Sequence, residues 1–335
     1  VGGAAASPAP DLHVVKTLPG DYLAPLQFAV DGHRVYVADS AKSALFRVGH
    51  PEPIALGPTP SENPESSGDL AGVDVRHGRV AFTTTEADHR NTYLTVLSHG
   101  KKVLKANLGA YERGKNPDTG ITYGAVKPWT VSDACKADLA KAGAQLSYPG
   151  LEDSHPYAVA GLPDGSWLVA DAGGNDILRV SERGHISTVA VLPAQPVKIT
   201  TEIAAQLGAP SCVGITYRFE AVPTDVEVAN GHVYVTTLPG GAGAPGSVYT
   251  LGRHHKPVKI AGGFAQATNL AVSPHGRIYV VELGVGVFTP GKHGPKQVAD
   301  LPGAAAVEWA NGKLYASTAP LLTGGTAPGH IVILK

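Results

Sequence analysis

Five polar side chains stand at comparable points of a pattern that recurs along the chain: His155, Asp171, Asp225, Asn269 and Glu282. Carboxylates and amides converging on one point make an oxygen-rich site suited to a hard cation such as Ca2+. Asp225 and Asn269 are the pair expected to hold such an ion. A histidine beside carboxylates suits proton transfer near neutral pH, so His155, Asp171 and Glu282 are the catalytic candidates. Asp153, two residues before His155, could orient the imidazole, although Asp-Ser-His is equally ordinary turn chemistry. The competing reading gives these strand-end groups a structural task, satisfying polar groups between neighbouring sheets. No Gly-x-Ser-x-Gly, His-Glu-x-x-His, Walker or dinucleotide motif occurs, so those chemistries have no local signature.

The elements that must position these residues are legible as repeats. A short apolar strand, a Gly-bearing turn and a second strand rich in Val and Tyr recur six times. Clear copies are Phe28-Ala29-Val30 with Arg34-Val35-Tyr36-Val37-Ala38-Asp39, and Tyr157-Ala158-Val159 with Trp167-Leu168-Val169-Ala170-Asp171. The turns hold Asp31-Gly32, His77-Gly78, Asp164-Gly165, Asn230-Gly231, His275-Gly276 and Asn311-Gly312. Gly supplies the positive φ that a tight hairpin needs, and Asn or Asp tolerates it. Third and fourth strands follow, and four-stranded units at a period of roughly 40 residues are propeller blades. The last unit ends at its third strand, within 330–335, and residues 11–18 offer the missing outer strand. The expected fold is therefore all-β: a six-bladed β-propeller closed by N- and C-terminal strands, one domain over 11–335, behind a disordered tail at 1–10. A β-sandwich with similar strand signals is the alternative.

Two connections are unusually long, with insertions at 109–154 and 194–223. Each runs from a fourth strand into the next first strand, so propeller topology places both on one face, on either side of the third blade. Ser132 to Ala144 and Thr200 to Leu207 are the helix-like stretches, one in each insertion. Cys135 lies in one insertion and Cys212 in the other; no second Cys or His stands at zinc-ligand spacing, which favours a disulfide between them. Tyr111, Glu112, Asp153, Arg218 and Glu220 are the insertion residues expected to line a binding pocket there.

Composition excludes several classes. Lys plus Arg number 27 against 28 Asp plus Glu, a formal charge of −1, so the basic surplus of a nucleic-acid binder is missing. No apolar run of roughly 18 residues marks a transmembrane helix. Val1 to Pro10 is rich in small residues, as beyond a removed signal peptide; with a disulfide, it points to an extracellular, secreted protein.

Two runs, Asp153-Ser154-His155-Pro156-Tyr157-Ala158-Val159 and Val169-Ala170-Asp171-Ala172-Gly173-Gly174-Asn175, resemble the secreted actinobacterial ScyD/ScyE-like family. So do Tyr217-Arg218-Phe219-Glu220, Pro223-Thr224-Asp225-Val226-Glu227, Ala267-Thr268-Asn269-Leu270-Ala271-Val272 and Ala306-Val307-Glu308-Trp309. That resemblance spans nearly the whole chain and implies an exported NHL-repeat-type propeller. A more distant likeness is to gluconolactonase and paraoxonase-type propellers, which implies Ca2+ held in the channel by Asn, Asp and Glu. Here Thr224-Asp225 and Thr268-Asn269 stand where those enzymes carry Pro-Asn-Gly or Pro-Asp-Gly, with the ligand position shifted by one residue.

Two functions follow as expectations. The first is an extracellular binding module whose insertion face grips a small molecule, glycan, peptide or protein. The second is a divalent-cation-dependent hydrolase or lyase, of the Ca2+ type, working at the channel mouth.

Overall fold

A computed structural model of the chain describes residues 12–61, 67–240 and 243–335. The tail expected at 1–10, and Asp11, lie outside them. Turns with positive φ join the apolar strands into antiparallel four-stranded meanders. At His77-Gly78 the two central φ values are 50° and 70°, at Asn230-Gly231 53° and 77°, and at Asn311-Gly312 53° and 71°. That is the mirror-image turn whose twist matches its flanking strands.

Six of the sheets follow the repeats. Their inner strands are Pro25–Asp31, Asp69–Arg76, Pro156–Gly161, Pro223–Ala229, Ala267–Val272 and Ala304–Ala310. These lie side by side in chain order, and the last also borders the first. The final meander takes its outer strand from the other end of the chain: Val14–Thr17 pairs with Ile331–Leu334. The architecture is that of a β-propeller.

Alternation along each strand buries both sheet faces, and apolar clusters fill the gaps between neighbouring sheets. Trp167, Val169 and Leu178 pack with Ala81 and Leu94; Phe28 and Val37 pack with Ala306 and Tyr315. Each large side chain removed from water contributes about 1.5–3 kcal/mol. Polar latches accompany the apolar contacts. Asp74 accepts from Gly161 N at 2.6 Å, Asp225 from Leu270 N at 2.8 Å and Asn269 from Val307 N at 2.7 Å. Each such bond crosses from one sheet to the next.

Every inner strand also shifts register near its start, as between Pro156 and Ala158, Pro223 and Asp225, or Ala267 and Asn269. A bulge of this kind adds twist and re-aims side chains. Here it acts where the channel opens beneath the insertions.

The seventh sheet belongs to the insertions themselves. Its strands run in the order Ser147–Pro149, Thr122–Ala125, Thr216–Phe219, Gln195–Lys198, two from each insertion. The two detours thus lie side by side. Both expected helices form, as Asp133–Lys141 (α2) and Thr201–Leu207 (α3), capped by Ser132 and Thr200. A further helix, Leu108–Lys115 (α1), opens the first insertion behind an Asn107 cap. Cys135 and Cys212 are disulfide-bonded and buried with Leu139, Ile203, Tyr217 and Phe219 in a separate small core. No helix among the described residues is long and apolar enough to cross a membrane.

Candidate functional site

His155 ends the first insertion immediately before the third inner strand, and its backbone N–H is fixed by Asp171 Oδ1 at 2.6 Å. Its Nε2 lies 3.3 Å from Asp69 Oδ2, on the start of the second inner strand. A second pair stands alongside: His89 Nδ1 is 2.9 Å from Asp153 Oδ1, and the two imidazole centroids are 5.0 Å apart. Tyr157 presents its ring edge-on to His155 at 6.0 Å. Burial opposes charging of His155. The hydrogen bond and charge of Asp69, with Asp171 and Asp153 beyond, outweigh it, so this imidazole holds its proton above the ordinary value. Burial likewise opposes ionisation of Asp153, yet its bond to His89 keeps that carboxyl below the usual range.

Asp171 holds the His155 backbone, whereas Asp153, expected to orient the His155 ring, bonds His89 instead. Asp171 is fully occupied there: besides His155 N it accepts the Ser154 hydroxyl at 2.6 Å and Gly174 N at 3.2 Å. Glu282 sits at the matching point of another sheet and accepts Ala265 N at 2.9 Å. Asp39 does the same for Ala24 N at 3.0 Å. These three residues share one structural duty, an acceptor at the end of a second strand.

Asp225 and Asn269, expected as cation ligands, use their oxygens on the sheet-to-sheet latches above. Asn269 Nδ2 donates to Gln27 Oε1 at 3.0 Å, and Gln27 Nε2 donates to Thr224 O at 3.2 Å, tying one side of the channel to another. Among the described residues no group of three or more His, Cys, Asp and Glu stands ready to hold a metal ion. Beyond Gln27, toward the hairpin turns, a chamber of about 230 Å³ is lined by Asp74, Arg76, Asp225, Glu227 and Glu308, among others. Burial first, then neighbouring negative charge, raises Glu227 and Glu308 above ordinary carboxyl values; burial raises Asp225 to about 7.

The insertion residues divide. Tyr111 docks on the third sheet, its hydroxyl accepting Thr188 N at 3.0 Å. Arg218 donates to Thr122 O at 3.3 Å, while Glu220 is raised above the ordinary carboxyl range by burial first, with Tyr148 and Asn175 opposing; the two do not pair with each other. Glu112 is buried on α1. Asp69 and His89 went unremarked in the sequence because they belong to the neighbouring sheet. An acidic residue opening an inner strand, with a histidine in the following hairpin region, was the available signal.

No family model and no curated protein matches the sequence. Solved structures do resemble it. The PQQ-bound aldose sugar dehydrogenase of Streptomyces coelicolor is 15% identical, with a TM-score of 0.55 over 98% of this chain and 99% of that one. A gluconolactonase from Xanthomonas campestris is 11% identical, with a TM-score of 0.52 over 99% and 98%. A streptogramin B lyase is 10% identical, with a TM-score of 0.51 over 97% of each chain. At such identities the likeness establishes the β-propeller fold.

Proposed function

We propose that this chain is a six-bladed propeller that takes a small polar molecule at the mouth beneath its insertions and moves a proton through His155, as a hydrolase or lyase would. The observation behind this reading is the His155–Asp69 pair, which bridges two neighbouring sheets beside the His89–Asp153 pair. Asp69 orients the ring through Nε2 and supports the imidazolium; His155 gives or takes the proton at its other ring nitrogen, Nδ1. The similar solved structures include a sugar dehydrogenase, a gluconolactonase and a streptogramin B lyase, which agrees with an enzymatic reading without choosing a substrate.

The blade count rests on six repeats and on the terminal strand pairing. Export rests on the disulfide, a bond of oxidising compartments, and agrees with the ScyD/ScyE-like resemblance. A second reading, an extracellular binding module, is favoured by Trp129, which projects from the first insertion at 78% exposure. The test is turnover of a panel of lactones and cyclic esters by wild type and His155→Ala. Catalysis predicts at least about a 100-fold loss on substitution. Ligand binding that survives the substitution, with no turnover by wild type, would sink the enzymatic reading and leave the binding module.

A further inference from the structure

Two carboxylates outside the mouth have no visible means of support. Glu112, on α1, is 2% exposed, and Asp176, at the start of the third strand of its sheet, is 0% exposed. Neither side chain has a hydrogen-bond partner at either oxygen. They converge beside Gly174: a Cβ built there would lie 3.2 Å from Glu112 Oε2 and 3.6 Å from both Asp176 Oδ1 and Asp171 Cγ. Asp118 adds further negative charge from the loop after α1, with its Oδ1 also unpartnered.

Among the described residues no basic group pairs with these carboxyls. Arg113, next to Glu112, donates instead to Arg90 O, and Lys115 is exposed. Their neighbour Asp171 shows what this fold does with a carboxylate it means to bury, surrounding it with three donors. Unpaired buried charge is among the costliest arrangements a protein can hold. Burial first, then the neighbouring acids, therefore lifts both groups above ordinary carboxyl values, Glu112 to about 8. The two meet from different elements at one glycine-lined gap.

We propose that Glu112 and Asp176 bind a divalent, oxygen-seeking cation of the Ca2+ class. Ca2+ accepts roughly six to eight oxygens in flexible geometry, from carboxylates, backbone carbonyls and water together. These two carboxylates, fewer than a three-side-chain cluster, can therefore anchor it with backbone carbonyls and enclosed water completing the shell. The ion would pin α1 to the rim of the third sheet. Since Asp171 lies against the same gap and holds His155 N, the pin would also steady the mouth. The inference does not depend on the mouth being catalytic.

The full-length oxidised protein, stripped with EDTA and passed through a desalting column, is titrated with CaCl2 by calorimetry and by thermal melting at pH 7.5. One equivalent of Ca2+ should bind, raising the melting temperature by about 5 °C or more. Glu112→Gln and Asp176→Asn should each weaken binding at least about tenfold, while Asp225→Asn should bind as wild type does. In EDTA the Glu112→Gln protein should melt no lower than wild type, because Gln keeps the uncharged form that burial already favours without the ion; this separates lost binding from lost folding. Failure of millimolar CaCl2 to bind or stabilise wild type would overturn the proposal. So would binding that survives both acidic substitutions and vanishes in Asp225→Asn.

Discussion

At the insertion face, carboxylates meet histidines: Asp69 faces His155, and Asp153 faces His89. In the chamber toward the hairpin turns, Asp74, Asp225, Glu227 and Glu308 share the walls with Arg76, the only basic residue lining it among the described residues. The residue type is the same and the outcome differs. A carboxylate beside imidazole pairs with a titratable ring, whereas Asp74 and Asp225 spend their oxygens on backbone N–H groups of the next sheet. Acidic residues around a propeller channel therefore cannot be read as a site by type alone; their donors decide.

The largest expected effect separates the two ends by how each is held. The mouth's wall is tied covalently, and replacing both cysteines by Ser should destabilise the protein by about 4 kcal/mol, because the bond spans 77 residues. Hydrogen exchange should then rise in α2 and α3 and stay low in the inner strands; uniform loosening of both regions would erase the distinction. The chamber is held by latches instead. Asp225→Ala strands Leu270 N and should lower unfolding free energy by about 1–3 kcal/mol at pH 6, where burial keeps much of this carboxyl protonated. Denaturant melts check the figure, and an unchanged midpoint would mean that the latch is ornamental.

The smallest effect is the sharpest on mechanism. Asp69→Asn removes the charge that holds His155 protonated, so the NMR-detected titration of that ring should move down and burial should then dominate. Because the native pKa is raised, the contribution of this pair is complete below the unfolded value near 6.5 and disappears as pH climbs through the native one. Wild type should thus exceed the variant by about 1 kcal/mol at pH 5.5 and match it at high pH. An unmoved His155 titration would return Asp69 to a merely structural role.

Much of this was legible. Asn230-Gly231 and its counterparts mark hairpins because few other residues accept positive φ at both positions, and the alternation around them marks strands buried on both faces. The adjacency of the insertions followed from strand direction, and the cysteines agreed with it. α1 escaped notice because Gly109 and Gly114 weaken its helical signal. The insertion sheet escaped because its strands have three or four residues and pair between segments far apart in sequence. Asp176 read as an ordinary strand residue; only its cross-strand register with Asp171 places both carboxylates at one edge. Asp225 and Asn269 were chosen by type, and their latching partners lie a whole sheet away, where no local pattern reaches.

Val14 pairs with Leu334, and His13 N donates to Lys335 O at 3.0 Å. Half-synthesised chain can therefore stack its early sheets but cannot finish this one, which waits for two segments far apart in sequence. Closing so long a loop is entropically slow, and until it happens the strand Ile331–Leu334 keeps a bare, apolar flank. Folding should end where Val14–Thr17 meets Ile331–Leu334, and that seam is where a newly made molecule is most exposed to the wrong neighbour.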